Sequence, residues 1–151
     1  MNSVESIKAV LVEQVNGYRT LLDVLRRERE CLVHFNAPGV EALSKEKDTI
    51  VLKLRLLEEE RVRLVHAFAA DNGIAGDMAL HRISEISGDE SFPLLRSQLI
   101  SLLQGVVEFN EFNRVLIERS SGIVKNALNF LGSFGVNCQA KNTGTLLSRE
   151  A

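Results

Sequence analysis

Tryptophan is absent from this 151-residue chain, tyrosine occurs once, proline twice, and neither sign of charge dominates: 18 Lys plus Arg stand against 20 Asp plus Glu, a formal charge of -2. The missing basic excess argues against a dedicated nucleic-acid binder, because neutralising phosphates takes a basic surface or stripe. No apolar run approaches the roughly 18 to 20 residues of a membrane span, so no membrane insertion is expected. The segment Met1 to Lys8 carries charges within its first turns and lacks the apolar stretch of a secretory signal, which leads to the expectation of a cytoplasmic protein. Two thiols far apart in sequence, Cys31 and Cys138, make no metal framework, and both are expected to be reduced and structurally incidental. Hydrophobic residues still form 45% of the chain, which excludes a wholly disordered polymer and provides for one domain with a core of its own.

Those hydrophobic residues are spaced for helices. Before Pro38 they fall in steps of three and four: Val4, Ile7, Leu11, Tyr18, Leu21, Leu25, Leu32 and Phe35, with Gln14 and Glu28 at the two missing seam positions. Phe35 to Gly39 reads as a turn, and a second seam follows through Val40, Leu43, Lys47, Ile50, Leu54, Leu57, Arg61, Leu64 and Phe68. So short a connection makes the two helices antiparallel neighbours, a hairpin roughly 45 Å long at 1.5 Å per residue. Gly73 is the expected left-handed stop of the second helix, a short amphipathic piece spans Met78 to Ile86, and Ser91 is placed to cap the last helix. That helix carries a seam from Leu95 to Phe130 and beside it a second stripe of Leu103, Val107, Ile117, Val124, Leu128 and Leu131, until Gly132 and Gly135 break the pattern. The expected fold is all-α: an elongated antiparallel helical hairpin or bundle of three long helices and one short one, with coiled-coil-like packing. Residues 1–135 form the helical domain and 136–151 a flexible tail.

Catalytic and cofactor signatures are missing. The chain has no Gly-rich phosphate loop, no CxxC, no HExxH and no Glu-x-x-His pair, so no enzyme activity and no cofactor is expected. His34, His66 and His81 come from three segments, and the first two read as favourable partners of helix C-termini more readily than as metal ligands, so no metal is expected either. Glu58, Glu59 and Glu60 point in three directions on a helix and read as a solvated face. Lys47 and Arg61 stand where an aliphatic residue would stabilise the seam. They serve either to select the register of the hairpin or to dock a partner, and a register that pairs Lys47 with Glu28 would fix how the two helices slide. Asn110 and Asn113 are poor mid-helix residues, and two of them three apart suggest amide contacts across a helix interface, either as a polar layer or as ligand contacts.

The segment Ala42-Leu43-Ser44-Lys45-Glu46-Lys47, followed by Leu54, Leu57-Glu58 and Arg61, resembles the second helix of the FlgN-like flagellar export chaperones. The run from Asn110 to Ile117, continuing to Leu128-Asn129-Phe130-Leu131, is similar to their C-terminal helix. The likeness spans roughly residues 5 to 135. It implies a cytoplasmic chaperone that binds the C-terminal segments of hook-filament junction proteins, the hook-associated proteins, keeps them unassembled and delivers them to the type III export gate and ATPase components. The family often carries a tyrosine shortly past the last helix. Here Val136 to Ala140 has none, and no tyrosine role transfers. The residues placed to meet a client are Ile117, Val124, Leu128, Leu131 and Phe134, as a helix-in-groove acceptor. The competing expectation for this stripe is internal core beneath the short helix. The competing expectation for the whole chain is a structural coiled coil that self-associates as a dimer.

Overall fold

The computed structural model describes residues 2–133, in four helices and, among those residues, no strand. They are α1 (Ser3–Val33), α2 (Ala37–Asp71), α3 (Leu80–Ser87) and α4 (Ser91–Ser133). The protein is all-α, with three long helices and one short one as the hydrophobic spacing requires; residues 134–151, including the expected tail, lie outside the described residues.

Local chemistry explains each boundary. After α1 the Asn36 N–H donates to the Cys31 carbonyl at 2.8 Å and the Phe35 N–H to Leu32 at 3.3 Å, the two bonds of a Schellman turn. Such a turn places its penultimate residue in the left-handed region, and Phe35 sits there at φ 53° with no glycine's freedom. The Asn36 side chain then accepts the Gly39 N–H at 3.0 Å, and Pro38 occupies the first turn of α2, where its missing N–H costs nothing. Ala37 to Gly39 are therefore helical, and the turn expected across Phe35 to Gly39 shrinks to His34–Asn36. α2 closes in the same way, with Gly73 at φ 69° and the Ile74 N–H on the Ala69 carbonyl at 2.8 Å. α3 begins at Leu80, two residues after the expected start, and Gly88 ends it in a left-handed conformation. At the head of α4 the capping oxygen belongs to Asp89, which accepts from the Ser91 N–H at 2.9 Å and its hydroxyl at 2.6 Å; Ser91 itself is helical. Gly132 lies inside the last turn of α4, so the break in the pattern does not stop the helix there.

The packing order follows from who meets whom. Gln14 reaches Glu58 and Glu28 reaches Lys47, so α2 runs antiparallel to α1. Lys8 reaches Asp89 at 3.1 Å and Glu28 reaches Asn113, so α4 runs parallel to α1. The apolar core gathers where all four helices meet: Ile7, Leu11 and Val15 from α1, Val65, Phe68 and Ala69 from α2, Met78 and Ile83 at α3, and Phe92 and Leu95 from α4. Each of these side chains other than the single methyl of Ala69 contributes on the order of 1.5–3 kcal/mol through burial. A smaller cluster of Leu21, Leu25 and Leu54 follows toward the hairpin tip. There Gly17 lets the helices close up: a Cβ on it would lie 2.7 Å from Leu54 Cδ2.

Candidate functional site

Beyond the second cluster the three long helices are joined by polar groups. Glu28 is fully buried on α1; its carboxylate accepts from Lys47 Nζ of α2 at 2.9 Å and from the Asn113 amide of α4 at 2.9 Å. The same amide also donates to the Leu25 carbonyl at 2.9 Å, while Asn113 Oδ1 is buried without a partner. A charge in such a place is tolerated because it is paired and hydrogen-bonded on both sides. Asn110 takes no part: it is exposed, so the two asparagines do not act together.

A second polar layer crosses α1 and α2. Gln14 donates to Glu58 at 2.8 Å, and Arg61 grips the same carboxylate at 2.6 and 2.8 Å. The Arg61 bonds hold the Glu58 carboxyl below its ordinary range, with the Gln14 amide adding to the effect against partial burial. In return the Glu58 carboxylate holds the Arg61 guanidinium above its own. Tyr18 nearby is raised, first by burial and then by the Glu58 charge. Glu59 and Glu60 turn elsewhere, toward Arg55 and Arg63.

The feature that sets α4 apart is its length. Asn113 is its last buried residue and the last of its described side chains hydrogen-bonded to another helix. α1 ends at Val33, only a turn or two past Leu25 and Glu28, whereas α4 continues to Ser133. Counted from that shared layer, α4 runs roughly 12–15 residues past the end of α1, about 20 Å at 1.5 Å per residue. At 3.6 residues per turn, Ile117, Val124, Leu128 and Leu131 fall within about 60° of the direction of Asn113, the direction that faces α1 upstream. The first three are partly buried and Leu131 is 39% exposed. Phe134, the fifth expected member of the stripe, lies outside the described residues. The internal-core alternative does not fit this placement, because α3 packs at the other end of α4, with Ile83 among Phe92 and Leu95.

Sequence reasoning passed over a cationic and aromatic edge on another side of α4. Arg26 stacks over the Phe109 ring at 5.5 Å, and Arg29 over Phe109 at 5.7 Å and Phe112 at 5.4 Å. A signal was present: neither Arg29 nor Arg119 has a carboxylate three or four positions away on its own helix. The histidines form no cluster. His34 caps α1, His66 Nε2 lies 2.8 Å from Asp77 Oδ1, and His81 belongs to α3; among the described residues no group of His, Cys, Asp and Glu is placed to hold a metal. Cys31 is a free, partly buried thiol. Among the described residues, no helix is long and apolar enough to cross a membrane.

Comparison with curated proteins, and with solved structures, finds no match. A family model does match: that of the FlgN protein, over residues 1–135, a span that takes in all four helices and the layer that joins them. The chain belongs to the FlgN family of flagellar export chaperones.

Proposed function

We propose that this protein is a cytoplasmic holdase of the flagellar type III export system, which binds the C-terminal segments of hook-filament junction proteins along the free end of α4. It keeps those segments from assembling and hands them to the export gate and ATPase components. The observation that supports this reading is the apolar stripe of α4 that continues, in the direction of α1, past the point where α1 stops. An amphipathic client helix laid there would occupy the place of a longer α1.

The test is calorimetric titration of the full chain with the C-terminal peptide of a junction protein. Wild type is expected to bind with a Kd on the order of micromolar or tighter, and the double substitution Val124→Asp, Leu128→Asp to weaken binding at least about tenfold. Equal affinity of the variant would remove the stripe from the account. Failure of every such peptide to bind, together with a stable dimer at low concentration, would favour the self-associating coiled coil instead.

A further inference from the structure

Most arginines of the described chain are matched to carboxylates: Arg27 to Asp23 and Glu46, Arg55 to Glu59, Arg61 to Glu58, Arg63 to Glu60, Arg82 to Glu85, and Arg114 to Glu111 and Glu118. Among the described residues Arg19, Arg26, Arg29, Arg96 and Arg119 have no such ion pair, and three of these five, Arg26, Arg29 and Arg119, gather on one side of α4. Arg26 and Arg29 project from α1 onto the Phe109 and Phe112 rings of α4. At 3.6 residues per turn Phe112, Arg119 and Ile123 share one line along α4, within about 40° of one another, so the three guanidinium groups follow a single flank. That flank lies about 80–120° round α4 from the direction of Asn113, on the side away from Ile117 and Leu128, and its apolar members are open, Phe112 at 49% and Ile123 at 57% exposure. The acidic residues close in sequence, Glu30 and Glu108, pair with none of these arginines, and Glu118 is held by Arg114.

We infer that this flank selects clients by charge: the partner is an amphipathic helical segment whose apolar face meets the α4 stripe and whose adjoining edge carries carboxylates that meet Arg26, Arg29 and Arg119. The inference rests on the client-binding reading above and specifies the chemistry of that client. Charge complementarity is the physical ground. A guanidinium stacked on an aromatic ring is pre-positioned, keeps its N–H edge free for a bidentate carboxylate, and loses little side-chain freedom when one arrives. Lysines in these places would be hydrated point charges on loose stems, with no fixed edge to offer. Around an apolar groove such a rim raises the association rate and rejects basic partners more than it adds raw affinity.

The test uses the full chain and three probes: the junction-protein C-terminal peptide, and two synthetic helical peptides with the same apolar spacing, one flanked by Glu and the other by Lys. Titrations are run at roughly 50 and 300 mM salt, between which exposed charge pairs are strongly screened. Wild type is expected to prefer the Glu-flanked peptide at least about tenfold at low salt and to lose most of that preference at high salt. The triple substitution R26E, R29E and R119E is expected to abolish the preference and the salt dependence, and the milder R26Q, R29Q pair to halve both on a logarithmic scale, with the melting curve checked for each. If the triple variant binds the junction peptide within about twofold of wild type while Val124→Asp, Leu128→Asp does not bind it, the client stripe stands and the charge-selecting flank is refuted. If the junction peptide fails to bind wild type, the client reading falls, and the Glu and Lys peptides decide alone: equal binding of the two refutes the inference, and a Glu preference lost in the triple variant supports it.

Discussion

Replacing Glu28 by alanine tests the three-helix polar layer most sharply. The substitution leaves Lys47 Nζ, whose side chain is only 14% exposed, without the carboxylate that lies 2.9 Å away, and takes from the Asn113 amide one of its two acceptors. Deleting one partner of a buried ion pair costs about 3–5 kcal/mol, because the remaining charge stays behind in a poor solvent. For a chain of this size that corresponds to a fall in Tm of roughly 6–20 °C. Partial escape of Lys47 to water along its flexible stem places the expectation at the lower end, about 3 kcal/mol. Removing the layer as a unit, with Glu28→Met, Lys47→Met and Asn113→Leu together, should recover most of the loss, since well-packed apolar residues replace such groups at little or no cost. The assay is urea unfolding followed by circular dichroism, with a double-mutant cycle over Glu28→Ala and Lys47→Ala. Coupling above about 1 kcal/mol is expected for groups in direct contact. Additivity within about 0.3–0.5 kcal/mol would refute the reasoning, because it would mean that the pair contributes nothing as a pair.

Three other expectations concern the framework. Gly17→Val should destabilise the protein by about 1–3 kcal/mol in the same unfolding assay, because even the first added carbon would stand 2.7 Å from the tip of the buried Leu54 side chain. Phe35→Gly should stabilise by about 0.5–1 kcal/mol: the residue is left-handed at φ 53° and 68% exposed, so the strain is relieved and little packing is lost, as a rise in midpoint would show. Asp89 is held down to about 2 from 3.8, first by the Ser91 hydroxyl and N–H and then by Lys8. A carboxyl depressed in the folded state contributes stability that is present above about pH 4 and is lost as the pH falls from there toward 2. Asp89→Asn should therefore flatten the acid limb of a stability-against-pH curve in that window, and an unchanged limb would dismiss the cap.

Much of the frame was written in the spacing of apolar residues. The steps of three and four through Ile7, Leu11, Leu21 and Leu25, broken near Pro38 and resumed through Leu43 and Leu54, specify a hairpin, and its antiparallel sense follows from a link of three residues. The meeting of Lys47 with Glu28 was legible because both are charges at seam positions, where a neighbour of opposite sign is the only cheap solution. Asn110 and Asn113 were not separable, since they lie about 60° apart on α4 and the spacing does not say where the neighbouring helix stands. Nor did the pattern reveal that α4 outruns its partner. The α4 seam continues unchanged past Asn113, while its register on α1 is set at the far end, by Lys8 with Asp89 and by the burial of Phe92. The same tertiary register brings Arg26 and Arg29 onto Phe109 and Phe112, a contact that no pattern within one helix contains.

Hydrogen exchange of the full chain, with and without the C-terminal peptide of a junction protein, tests the central claim most directly. Amides in roughly the last 12–15 residues of α4, past the end of α1, have no neighbouring helix among the described residues and should exchange fast in the free protein, while those around Phe92 exchange slowly. The account predicts that the peptide slows exchange across residues 117–131 and leaves the Phe92 end unchanged. Protection confined to α2 or α3, with 117–131 unaltered at saturating peptide, would contradict it.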